Sequence, residues 1–184
     1  MLYHVSFVKL KSRTLYPRIP KQRADNENNT IKRICFATTI EKALTAMPHG
    51  GRALKNLLFI SEQLNVFPLL HIYSIDESAI KPSNLLNSVA ISPYVPDAEY
   101  TGEIWVIRQK VTCDHEIIKV TKADMRSGYD INKNPITEIK YLEWEPLKQI
   151  PSTSMETRFK GANIDIRCAL ATFDWVEFLS SKAC

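Results

Sequence analysis

Arg33-Ile34-Cys35-Phe36-Ala37-Thr38-Thr39 is the stretch on which the fold turns. Ile34 to Ala37 is an apolar run of strand length, closed on one side by a charge and on the other by two threonines. Either Thr38 or Thr39 is placed to cap a helix over residues 40–47, with Glu41 in the first turn where the helix dipole favours an acid. Two other runs share this character: Tyr3-His4-Val5-Ser6 and Thr101-Gly102-Glu103-Ile104-Trp105-Val106. Each sets a polar group (His4, Thr38, Glu103) inside or beside a short apolar strand. Buried polar groups are costly unless paired or used, so three of them predict a cleft where the strands meet.

Working outward, residues 1–8 read as a first strand with His4 near its middle, and residues 9–30 as an irregular segment. Within that segment, Tyr16-Pro17-Arg18-Ile19-Pro20 holds Arg18 extended between two prolines. Leu54, Leu57, Leu58 and Leu64 recur at helical spacing over residues 53–65, and residues 67–75 read as a strand. Further strands are expected over 103–108, 117–121 and 139–144, with residues 124–135 polar and turn-rich. An amphipathic helix over 169–179 presents Leu170, Phe173, Val176 and Phe178. Short strands interspersed with few helices give an α+β class, organised as a core over 1–123 and an accessory element over 124–184 packed on it.

Composition narrows the functional classes. The chain has 184 residues, 45% hydrophobic and 24% charged, with a formal net charge of +4. That composition is ordinary for a globular domain, and the mild basicity permits anionic partners without singling out nucleic acid. Lys9, Lys11, Arg13, Arg18, Lys21 and Arg23 form the densest basic stretch, either a solvated loop or a phosphate-facing surface. Cys35, Cys113, Cys168 and Cys184 show neither a paired nor a repeated spacing, so no zinc site or disulfide framework is signalled and a cytoplasmic, reducing compartment is expected. No leader pattern or apolar run of membrane-spanning length occurs, so no membrane partner is expected. Serine-hydrolase, phosphate-loop and dinucleotide-fingerprint motifs are all missing from a chain with five glycines.

The order of a strand with His4, a strand with Phe36 running into a capped helix, and a strand with Glu103 resembles the ADP-ribosyltransferase fold, in its diphtheria-toxin-like and related bacterial branches. The resemblance covers residues 1 to about 121. It implies a split, mostly antiparallel sheet that clamps NAD in an extended pose. It further implies cleavage of the nicotinamide–ribose bond, with transfer of ADP-ribose to a protein or nucleic-acid acceptor. On that reading Glu103 stabilises the oxocarbenium-like charge on the ribose, and His4 is its catalytic and ribose-orienting partner. Phe36 forms an apolar wall where the family often has tyrosine, Arg18 or Arg33 pairs with the pyrophosphate, and Ser6 completes the NAD-binding set. No metal is implied.

Each of these side chains also has a plainer role open to it. His4 can be an edge histidine, Phe36 a core residue, and Glu103 the outward member of an alternating strand. Arg33 and Arg18 can be surface charges, and Asp97 can cap a turn. Three rival functions remain beside the transferase. One is a phage- or mobile-element-encoded inhibitor that keeps the fold without the chemistry. Another is an NAD glycohydrolase using Arg18 or Arg33, Glu103 and Ser6. The third is a relative that removes an RNA 2′-phosphate.

Overall fold

A computed structural model describes residues 1–20, 27–47, 50–64, 67–129 and 135–150. The expected helix over 169–179, together with Cys168 and Cys184, lies outside them. The elements in chain order are β1 (Leu2–Ser6), β2 (Thr14–Leu15), β3 (Ile34–Phe36), α1 (Ile40–Ala46), α2 (Gly50–Leu64) and β4 (Leu69–Ile75). They continue with β5 (Leu85–Leu86), α3 (Ser88–Ile91), α4 (Ala98–Thr101), β6 (Ile104–Val106), β7 (Val111–Thr112), β8 (Asp114–Tyr129) and β9 (Pro135–Leu147). The protein is α+β, and every strand pairing among the described residues is antiparallel.

Among the described residues the strands form three sheets: a large one in the order β1-β4-β8-β9, a small one in the order β3-β6-β5, and the two-stranded pair β2-β7. Strand alternation gives the large sheet two different faces. Val5, Leu70, Ile72, Ile118 and Val120 point to one face and pack beneath Ile40, Leu44, Leu54 and Leu57 of α1 and α2. Leu2, Tyr73 and Ile75 point to the other and meet Ile34, Phe36, Ile104 and Val106 of the small sheet. Trp105, on the far side of the small sheet, packs with Ile91, Val95 and Ala98 from the α3–α4 region.

Local chemistry explains the elements that frame the small sheet. Thr39, not Thr38, caps α1: its hydroxyl accepts from the Lys42 N–H at 3.2 Å, and Glu41 follows in the first turn. β3 therefore hands directly to a helix whose Leu44 is fully buried. The chain leaves α4 through Gly102, whose φ of 67° is left-handed and lets its N–H reach the Ala98 carbonyl at 2.8 Å. That turn delivers Glu103 immediately before β6.

The hairpin β8–β9 is longer than the sequence pattern indicates. Residues 124–129 continue β8 unbroken, and β9 begins at Pro135. The polar stretch read as turn-rich is in this part a two-stranded ribbon in which Met125, opposite the buried Ile139, packs on the core while Asp124, Arg126, Ser127 and Tyr129 are exposed, so it lacks the apolar alternation that marks a half-buried strand. Thr45 of α1 accepts from the Ile139 N–H at 3.0 Å and fixes the ribbon to the body. Gly51 of α2 makes the same junction possible, because a β-carbon there would stand 2.0 Å from the Thr137 carbonyl oxygen. No helix among the described residues is long and apolar enough to cross a membrane.

Candidate functional site

The free edge of β3 is paired at both ends and open in the middle. Arg33 exchanges both backbone hydrogen bonds with Arg18 (3.0 and 3.1 Å), and Ala37 exchanges both with Tyr3 (2.8 and 3.0 Å). Alternation in a strand sends the N–H and C=O of every second residue to the same edge. Cys35, midway between Arg33 and Ala37, therefore presents its backbone groups to the gap between the Arg18 segment and β1. Its carbonyl accepts a hydrogen bond from His4 Nδ1 at 2.9 Å. Its N–H faces the same notch.

His4 is well fixed in that position. Its ring meets the Phe36 ring edge-on at 6.1 Å and tilts against Tyr73 at 6.2 Å. Because the Cys35 carbonyl can only accept, the proton sits on Nδ1, and Nε2 keeps its lone pair. Burial lowers the pKa of His4 below 6.5; the bond to the Cys35 carbonyl opposes this and the charge of Arg18 adds to it. The ring is neutral at pH 7. Arg18 itself is exposed, with its charge felt at the ring. Phe36 is 1% exposed and supports the His4 ring from within the core. Ser6 lies on the same face two residues on, opposite His71, with its hydroxyl accepting from the Val8 N–H at 3.2 Å.

Glu103 lies on the other side of β3. Ile34 and Phe36 point to the face of the small sheet that meets β1 and β4, whereas Cys35 points to the face that carries Trp105. There Glu103, 6% exposed, accepts a hydrogen bond from Trp105 Nε1 at 2.8 Å, and the Cys35 thiol reaches the same carboxyl. The Arg33 guanidinium stacks over the Trp105 ring at 4.0 Å. It forms an ion pair with Glu27, and Nη1 donates to the Asn28 and Ile31 carbonyls, both at 3.0 Å. Arg33 Nε is buried with no partner among the described residues.

The electrostatics of this buried cluster follow from its dryness. Burial raises the Glu103 pKa to about 7, with the Cys35 thiol, Trp105 and Arg33 opposing and Glu27 adding to the rise. Burial, with the neighbouring Glu103 carboxyl, pushes the Cys35 thiol well above its ordinary value, so it is an unreactive thiol rather than a nucleophile. Arg33 offers Glu103 little compensation because its charge is already engaged by Glu27.

The proposed set is thus divided. His4, Phe36 and Arg18 gather at one edge and face of β3, with Ser6 beyond them. Glu103 and Arg33 gather on the opposite face, and the residue common to both groups is Cys35. The sequence pattern assigns no site role to Cys35, nor to two histidines behind the first strand. His71 and His115 stack at 5.3 Å with Nδ1 and Nε2 at 3.1 Å, and Tyr73 stacks on His115 at 4.7 Å. His71 sits in an apolar run and its position is set by cross-strand register, which alternation reveals once β1, β4 and β8 are paired. No group of three or more metal-ligating side chains occurs among the described residues. No protein-family model, curated protein or solved structure matches the chain.

Proposed function

We propose that the protein binds NAD at the notch in the β3 edge, in the manner expected of an ADP-ribosyltransferase-like fold, and holds it without transfer chemistry from Glu103. The observation that carries this reading is the unpaired middle of that edge, where His4 Nδ1 meets the Cys35 carbonyl between two flanking bridges. A neutral imidazole with a free Nε2 lone pair can accept from a ribose hydroxyl. A backbone N–H aimed at the same space suits a carboxamide or phosphate oxygen. Arg18, exposed beside the notch, supplies positive charge for a pyrophosphate.

The placement of Glu103 favours binding over catalysis. Its carboxyl faces Trp105 and Cys35, with the β3 backbone between it and the His4 ring, so it is not aimed at a ribose held by His4. The reading accordingly sits between the transferase and the non-catalytic inhibitor expected from sequence.

Titration of NAD into the protein by calorimetry tests it. Saturable binding, weakened about tenfold or more in His4→Ala and in Arg18→Ala, supports the site. No heat at millimolar NAD contradicts it. Release of nicotinamide during the titration, abolished by Glu103→Gln, contradicts the non-catalytic assignment and restores the glycohydrolase or transferase.

A further inference from the structure

Cys35 joins the two halves of the divided cluster. Its backbone carbonyl is held by His4 at the notch, and its thiol lies against the Glu103 carboxyl behind the strand. The carboxyl is oriented independently by Trp105 Nε1 from β6, so Glu103 is a fixed post against which the Cys35 side chain rests. We propose that Glu103 is the positioning residue of the notch, holding Cys35 in place, and that the proton on its carboxyl sets how tightly the notch takes an anionic dinucleotide. This rests on the NAD-binding reading above.

Among the described residues, the charged and titratable groups that face Glu103 are Cys35 from β3, Arg33 just before it and Glu27 from the preceding loop. Arg33 is engaged by Glu27, and ionising Glu103 adds one negative charge to the cluster, one side chain behind the notch. In a buried, low-dielectric setting that charge reaches the bound phosphates with little screening. A protonated Glu103 has no such effect. The burial that keeps the acid protonated near neutrality thereby makes the notch responsive to pH, with Glu103 never touching the ligand.

NAD affinity measured by calorimetry between pH 6.5 and about 8 tests this, with burial moving the His4 titration down toward and below the acid end of that window. The wild type should lose about threefold or more in affinity as pH rises. Glu103→Gln should hold the low-pH affinity across the window. Cys35→Ser, which offers the carboxyl a stronger donor, should move the midpoint to lower pH and remains informative if the glutamine variant does not fold. A flat wild-type profile, an unchanged profile in Glu103→Gln, or an unmoved midpoint in Cys35→Ser overturns the role of Glu103 while leaving the site intact. Failure of NAD to bind at every pH overturns the site reading and this inference with it.

Discussion

His4 Nδ1 donates to the Cys35 carbonyl at 2.9 Å, joining two residues 31 positions apart at the point where the edge of β3 is left unpaired. The bond does two things at once. It satisfies a strand carbonyl that has no backbone partner there, and it fixes the tautomer and direction of the imidazole. Replacing His4 by alanine should cost about 1 kcal/mol of stability from the lost bond alone, read by urea denaturation. His4→Asn, which keeps a donor at nearly the same place, should recover much of that stability but not the Nε2 acceptor. Stability and NAD affinity should therefore separate in the asparagine variant.

Glu103 makes folding stability depend on pH in a defined window. Its folded value of about 7 lies above its ordinary 4.5, so the folded state binds the proton more tightly than the unfolded chain. The sign follows: its contribution is fully present below about pH 4.5 and is lost as pH rises through 7. At 1.36 kcal/mol per unit the loss is at most about 3 kcal/mol. Urea melts of the wild type and Glu103→Gln across this range should show the variant gaining on the wild type as pH increases. A constant difference between the two would count against a buried, protonated Glu103.

Trp105→Phe keeps most of the apolar volume beside Ile91 and Ala98 and removes the Nε1 donor to Glu103. Leaving a buried carboxyl short of a partner should cost about 1–3 kcal/mol. The loss should be greater at pH 8 than at pH 5, since the charged form needs the donor more. Denaturation at both pH values checks it.

Arg33→Met should be among the most damaging single changes, at about 3–5 kcal/mol, because it takes a buried cation away from the Glu27 carboxyl and from the face of Trp105. Adding Glu27→Gln should recover a good part of that loss. A double-mutant cycle measures the coupling directly, and simple additivity of the two single changes would contradict the pairing.

Gly51→Ala tests the junction between the ribbon and the helices. Its methyl would meet the Thr137 carbonyl oxygen at 2.0 Å, so either α2 or β9 must move. A loss of about 1–3 kcal/mol in urea denaturation is expected. An unchanged midpoint would show that the two elements are not packed as closely as described.

Much of this architecture was legible in the sequence. Apolar runs at 2–6, 34–36, 69–75 and 104–106 mark their strands because each is buried on at least one face, and the threonine at the end of β3 marks the start of α1. The outer end of β8 gives no alternation to read, as in Asp124-Met125-Arg126-Ser127-Gly128, whereas the expected strands over 117–121 and 139–144 carry the buried Ile118, Val120, Ile139 and Leu142. The site was half legible. His4, Phe36 and Glu103 all lie on β3 or next to it, yet a list of strands does not say that Phe36 and Glu103 point to opposite faces of one three-stranded sheet. That fact belongs to the pairing register, in which Cys35 lies opposite Trp105. For the same reason the pattern assigns Cys35 no site role, although its carbonyl and its thiol serve neighbours on different sides of the strand.

The central claim is that the open middle of the β3 edge is where the dinucleotide sits, and the backbone N–H of Cys35 is its most direct reporter. Two-dimensional amide NMR of the labelled protein during NAD titration resolves that group from the other backbone amides. The account predicts a saturable shift of the Cys35 amide, accompanied by Arg18 and His4 and abolished in His4→Ala. A saturable response confined to other residues, with the Cys35 amide unmoved, would contradict it.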